Sequence, residues 1–401
     1  MLANNKSGHV KDVTMVVLAN AFVYICPAIY TTFLSAFLSR DGLTASQIGI
    51  IFSLSPLMYL IAAPLWAKLA DYTGKRTQIL AMICVGAAAS LLLFYFSSGF
   101  TAYFIAALLL DIFVTSLVPL SDSIVLFRAR KLNVPFSTVR LGGTFGYALV
   151  VILCGFILTG KGEVMFPAAA GAFMLYALLM LFFPQSAEQG SPKSHKAPNG
   201  GILKEMTPEF CFVLAFAFLG YVGLSVISAY MGSFMVSKGY DHMEIAIAST
   251  ISALSEVPTL LLIRRWTKGK SIVKVLSFCC IMFAVRALLV SSGSLPLIYG
   301  ASLLQSVTYM PLYYCCVTYV SEHLPPEKQS QGQSMLVLCQ SGLGGMVGYL
   351  LGGQVIQHVG IPTAYRIFAL LVLVGATALG MLYKKLDRKG RLSDGRVSSD
   401  L

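Results

Sequence analysis

Charge is scarce in this chain. Asp, Glu, Lys and Arg make up 11% of its 401 residues, about half of what a soluble domain carries, which excludes a surface wetted on all sides. The five histidines lie in tails, loops or loop edges, and no His/Cys set has zinc spacing, so a metal centre has nothing to build on. Nine cysteines are present, among them the adjacent pairs Cys279–Cys280 and Cys315–Cys316, and all nine fall inside apolar runs. They read as small buried apolar residues and not as a disulfide framework. A nucleotide loop and a nucleophile–base set are both missing, so enzyme activity and organic cofactors are not expected. A cleavable signal peptide is not expected: the first apolar stretch is too long and lacks a small-residue cleavage site.

What is there is hydrophobicity. Apolar residues are 57% of the chain, and the mean hydropathy is +0.77. They gather in twelve stretches, near 13–38, 47–69, 77–97, 101–127, 140–158, 164–183, 210–236, 243–263, 271–291, 296–320, 334–356 and 363–383. A hydrocarbon layer about 30 Å thick takes about 20 helical residues to cross. Backbone amides in lipid have no water to bond, so each crossing must be a helix. The expectation is an all-α membrane protein with twelve transmembrane helices.

Lys and Arg set the orientation. With both termini cytoplasmic, and the first turns of the spans counted with their loops, 24 basic residues fall on the cytoplasmic side and only Arg40, Lys161 and Lys238 outside; Arg286 and Arg366 lie deeper within spans. The same asymmetry accounts for the net charge of +12 through topology and anionic headgroups, so a nucleic-acid partner is not expected. The expected location is a plasma (inner) membrane, with the lipid bilayer as partner and a monomeric state.

Residues 184–206, rich in Pro, Gly and Ser, separate two six-span halves. The expected division is an N-terminal bundle at 1–183, a cytoplasmic linker at 184–206, a C-terminal bundle at 207–384 and a mobile cytoplasmic tail at 385–401. The halves resemble each other. Leu141-Gly142-Gly143-Thr144-Phe145-Gly146-Tyr147 recurs as Leu343-Gly344-Gly345-Met346-Val347-Gly348-Tyr349, an offset of 202. Val118-Pro119-Leu120 and Met310-Pro311-Leu312 match at 192, and the loops 72–76 and 266–270 at 194. Duplication of a six-helix unit, as in secondary transporters, explains the set.

Charges at membrane depth cost about 2.5–3.5 kcal/mol at a helix centre, so those present need a reason. They are Asp111 and Asp122 in the fourth span, Arg140 in the fifth, Glu256 in the eighth, Arg286 in the ninth and Arg366 in the twelfth. Asp111 and Asp122 are three turns apart and share a face. Polar stripes also run through Asn20, Tyr24 and Thr31; Tyr221, Ser225 and Ser228; and Gln305 and Tyr309. Interhelical hydrogen bonds account for any one of these residues. A polar cavity lined by spans one, four, seven and ten accounts for the set. Glu256, in mid-span, is placed to take up and release a proton, with Arg286 its expected partner and Asp111 a reserve.

The loop Ala67-Lys68-Leu69-Ala70-Asp71-Tyr72-Thr73-Gly74-Lys75-Arg76 is similar to the G-x-x-x-D-R-x-G-R-R motif of the major facilitator superfamily, with Asp71, Gly74, Lys75 and Arg76 matching. The resemblance covers essentially the whole chain and implies two pseudo-symmetric six-helix bundles. It implies a gating role for those four residues, with Asp71 capping and pairing with neighbouring helices. Within the superfamily the chain resembles phenylpropionate-permease-like and lactose-permease-like proton symporters, through Asp122, the run Val139–Tyr147, Glu256-Val257-Pro258, Arg286 and Gln331-Gly332-Gln333. That resemblance implies solute contacts from Asp122, Arg140 and Tyr147, with Tyr147 where that subgroup's sugar carrier has Trp. It implies coupling through Glu256 and Arg286. The His and Glu that complete the coupling network on the tenth span are missing, and Gln305, Tyr309 and Tyr313 stand there instead.

The expected function is proton-coupled symport of a small organic solute, a sugar, nucleoside or aromatic acid, by alternating access. Protons are the coupling ion; the solute sites are Asp122, Arg140, Tyr147, Asn20, Tyr24, Tyr221, Gln305 and Tyr309. A proton-driven antiporter on the same fold is the first alternative, although the Gly-Pro antiporter motif of span five is absent. A receptor or scaffold is the second; it needs a large folded loop that this sequence lacks.

Overall fold

A computed structural model describes residues 2–183 and 206–388. Among these are sixteen α-helices and no strand. The helices before the sequence midpoint are α1 (Leu2–Thr31), α2 (Leu34–Arg40), α3 (Ala45–Thr73), α4 (Arg76–Phe96), α5 (Phe100–Val114), α6 (Leu117–Lys131), α7 (Phe136–Ile157) and α8 (Met165–Phe182). Those after it are α9 (Pro208–Ser237), α10 (His242–Thr267), α11 (Ile272–Ser291), α12 (Leu295–Leu303), α13 (Gln305–His323), α14 (Pro326–Val337), α15 (Gly345–Val359) and α16 (Ile361–Asp387). A π-helical segment, Leu338–Gly344, joins α14 to α15.

Among the described residues, eleven segments are long and apolar enough to cross a membrane. The twelfth, the tenth in chain order, is α12 and α13 together, broken at Leu304. The protein is thus the all-α, twelve-helix membrane protein expected. Many large apolar side chains are exposed, Leu65, Phe145, Leu149, Phe156, Leu175, Leu261 and Leu370 among them, as a lipid-facing surface requires.

The described residues pack into two compact units. One holds 2–43, 57–183 and 235–250; the other holds 44–56, 206–234 and 251–388. Each unit therefore includes a short segment from the opposite half of the sequence. Of the expected linker (184–206), residues 184–205 lie outside the described residues, as do residues 389–401 of the expected tail (385–401).

In the first unit α4 packs along α8 and α1 along α7. In the second, α11 packs along α16 and α13, around Phe210, Phe216, Leu276, Phe283 and Leu312. The repeated Leu-Gly-Gly-x-x-Gly-Tyr helices do the same job in both units. Gly142, Gly143 and Gly146 of α7 lie against Val17, Asn20, Tyr24, Ala21 and Ile25 of α1; Gly344 and Gly348 lie against Tyr221, Val222 and Ser225 of α9. A Cβ on Gly348 would come within 2.8 Å of the Val222 carbonyl oxygen, so these contacts admit no side chain. Small residues that let backbones approach supply helix packing where lipid removes the hydrophobic drive.

The fourth span breaks between α5 and α6 at Thr115–Ser116, and its chemistry is traceable. Pro119 has no N–H to offer the carbonyl four residues earlier. Ser116 N–H bonds the Phe113 carbonyl at 3.3 Å, and the Ile112 carbonyl receives the Trp66 indole N–H at 2.7 Å. The break is held by a side chain from α3.

Candidate functional site

In the second unit, Gln305 is the first residue of α13, directly after the break in the tenth span. Its amide faces two charged groups. Arg286 Nη1 donates to Gln305 Oε1, and Gln305 Nε2 donates to Glu256 Oε1 at 3.1 Å. Arg286, the expected partner of Glu256, interacts with it electrostatically, and Gln305, expected at a solute contact, bonds both. Arg286 is 4% exposed, and its Nε has no hydrogen-bond partner. It is electrostatically coupled to Glu256 and to Tyr365 of α16.

Tyr309 and Tyr313 follow Gln305 at four-residue steps, so all three share one face of α13. Tyr309 and Tyr313 stack at 6.0 Å between centroids, and Tyr221 of α9 meets Tyr309 edge-on at 6.2 Å. One helix face thus carries the charged network at one end and an aromatic cluster next to it. Such rings offer flat faces to a planar base or to the C–H face of a sugar.

In the first unit, Arg140 of α7 lies over the Tyr24 ring at 4.6 Å and donates from Nη1 to its hydroxyl. Asn20, one turn earlier on α1, is 1% exposed, and neither its Nδ2 nor its Oδ1 has a hydrogen-bond partner. Gly143 makes room for both: a Cβ there would stand 2.6 Å from the Tyr24 ring and 2.9 Å from Asn20 Oδ1. A buried carboxamide with both ends unpaired costs stability unless something else satisfies it. Tyr147 reaches Thr32 at 3.4 Å. Asp122 forms no ion pair with Arg140 among the described residues, so the guanidinium is committed to Tyr24. Asp111, partly buried, is electrostatically coupled to the buried Tyr30. Arg366, expected at membrane depth, is exposed at the start of α16 and bonds Ser291 at 3.4 Å.

The motif loop differs from its expected capping role. Asp71 lies in the last turns of α3, and Lys75 holds the cap position of α4 without a side-chain capping bond. Asp71 instead pairs with Arg76 at 2.9 Å, across a turn that Gly74 makes with a φ of +65°.

Two clusters escaped the sequence reading. Arg40 pairs with Asp241 at 3.1 Å, and Asp241 meets Nδ1 of His242 at 2.8 Å. Desolvation alone would raise the Asp241 carboxyl; the His242 and Arg40 hydrogen bonds outweigh it and hold it below the ordinary value of 3.8. The Tyr230 hydroxyl of α9 faces the carbonyls of Ala45 at 3.2 Å and Tyr349 at 2.9 Å, in the gap left by Gly49 and Gly353. Neither cluster has a sequence signature, because its partners lie more than a hundred residues apart.

Twelve membrane-crossing helices, a repeat carried by paired glycine helices, and charged and aromatic groups gathered inside each unit are the features of a membrane transporter. The chain belongs to the MFS_1-like family: that family's model matches residues 22–367, and the chain is a major facilitator superfamily transporter. It is 25% identical over 355 residues to the maltose permease of Geobacillus stearothermophilus, covering 88% of this chain and 90% of that one. It is 22% identical over 343 residues to the putative nucleoside transporter YegT of Escherichia coli (strain K12), covering 80% and 79%. Its fold matches the crystal structure of a mutant of the nucleoside transporter NupG with a TM-score of 0.83 at 17% identity, covering 92% of this chain and 99% of that one.

Proposed function

We propose that the protein is a proton-coupled symporter of a hydroxyl-rich solute of the sugar or nucleoside class, working by alternating access in a plasma membrane with both termini cytoplasmic. The observation that carries this reading is the shared face of α13. A carboxylate network, Glu256–Gln305–Arg286, adjoins an aromatic cluster, Tyr309, Tyr313 and Tyr221. Protonation of Glu256 therefore alters the charge beside the surface on which a ring would rest. Asn20, Tyr24 and Arg140 supply donors and an acceptor suited to hydroxyl and carbonyl groups. Maltose and nucleoside carriers among the relatives support the solute class. A charged site buried in a membrane bundle is a functional site by default.

The test uses purified protein in liposomes with radiolabelled maltose and uridine. With the outer medium acidic, at least one is expected to accumulate above its equilibrium level, and Glu256→Gln is expected to equilibrate it without accumulation. Accumulation by the Glu256→Gln protein, or exclusion of both solutes, contradicts the reading. A proton-driven antiporter would empty preloaded vesicles under the same gradient.

A further inference from the structure

We infer that Gln305 is a positioning residue for the proton site: it fixes the Glu256 carboxylate and passes the influence of Arg286 to it. The inference rests on the proposed role of Glu256 and extends it. Its starting point is the fixed polarity of the amide. A guanidinium has donors only, so Gln305 must turn Oε1 towards Arg286. With that end committed, Nε2 has to face Glu256, where it donates at 3.1 Å. The amide cannot flip without setting N–H against N–H. Donation to a carboxylate favours its ionised form. An amide whose oxygen is polarised by a cation is a stronger donor at its nitrogen. Gln305 therefore acts as an uncharged connector between Arg286 and Glu256.

Charged and titratable groups packed near this site come from several helices. Arg286 comes from α11, and Tyr365 of α16 is coupled to that arginine. Arg366 of α16 is turned to Ser291 at 3.4 Å. Tyr309 is the next phenol along α13, one turn on, and it packs on Tyr221 and Tyr313. On α10 the nearest other ionisable residues are Arg264 and Arg265, more than two turns away. Gln305 itself cannot titrate, so proton exchange at this site is left to Glu256. The amide also begins α13 at the Leu304 break, so a shift of that break would move the donor off the carboxylate.

The experiment reads the carboxyl directly and needs no solute. The protonated-carboxyl C=O band of reconstituted protein is titrated by infrared difference spectroscopy, and its Glu256 component is identified by its loss in Glu256→Gln. In Gln305→Leu that component is expected to titrate about one pH unit or more higher, because a charge-assisted donor has been removed. Gln305→Asn keeps the amide but is one methylene too short to span both partners, and is expected to shift the same way by less. An unmoved midpoint in a folded variant, whether Leu or Asn, overturns the positioning role and returns Gln305 to solute contact. Absence of any band lost in Glu256→Gln overturns instead the proton-carrier reading beneath it.

Discussion

Arg140 and Tyr24 are held together by two interactions at once, a stacked guanidinium and a hydrogen bond to the phenol. Lysine can supply the charge but not the planar face. Arg140→Lys is therefore expected to weaken solute affinity about tenfold or more while leaving the folded protein intact, which binding calorimetry and thermal unfolding of the same sample would separate. Asn20→Leu is expected to behave differently. It removes two unpaired buried polar atoms, so the empty protein should unfold at an equal or higher temperature while solute binding falls. Equal binding by the variant would show that Asn20 does not touch the solute. The sequence exposed these residues because ionisable and amide groups stand out in apolar runs. It could not expose their pairing. Arg286 lies 30 residues from Glu256 and Gln305 lies 49, and nothing in either spacing says which of the two donates to the carboxylate.

Among the elements, the paired glycine helices fix how closely α7 approaches α1 and how closely the π-segment and α15 approach α9. Gly348→Ala puts a methyl 2.8 Å from a backbone oxygen and 2.8 Å from the Ser225 side chain. Overpacking of this kind costs about 1–3 kcal/mol, so the melting temperature of the detergent-solubilised protein is expected to fall. At Gly143 the neighbours are instead the side chains of Tyr24 and Asn20; Gly143→Ala is expected to lower solute affinity more than stability. The repeat itself was legible from five matched positions in a seven-residue stretch. Its local backbone was not: 141–147 is regular α-helix, whereas the first two of residues 343–349 end a π-helical segment. π-Segments depend on an inserted hydrogen-bond register and frequently mark functional sites, and no residue type announces one. The break in the fourth span was readable only in part. Pro119 marks it, but the Trp66 bond that satisfies the Ile112 carbonyl comes from another helix.

At the scale of the whole molecule, composition and hydropathy were enough for the class, because lipid admits one spanning solution to a chain of this kind. Compact units that exchange short segments were not readable, since packing across the sequence midpoint depends on partners such as Arg40 and Asp241, 201 residues apart. That pair has a testable sign. Asp241 is held below its ordinary value, so its contribution is present above about pH 4 and lost as pH falls through the depressed value. Both side chains are more than a third exposed, which limits the contribution to roughly 1 kcal/mol or less. Asp241→Asn is expected to lower the melting temperature slightly at pH 7 and to make no difference at the acid end of the profile. The proposed entry of protons with the solute by way of Glu256 is read most directly with a pH electrode. Maltose or uridine, whichever is carried, is added to weakly buffered proteoliposomes held at zero membrane potential. The outer medium is expected to turn alkaline with the wild type and to stay unchanged with Glu256→Gln. Acidification, or an equal alkaline shift from both proteins, would contradict it.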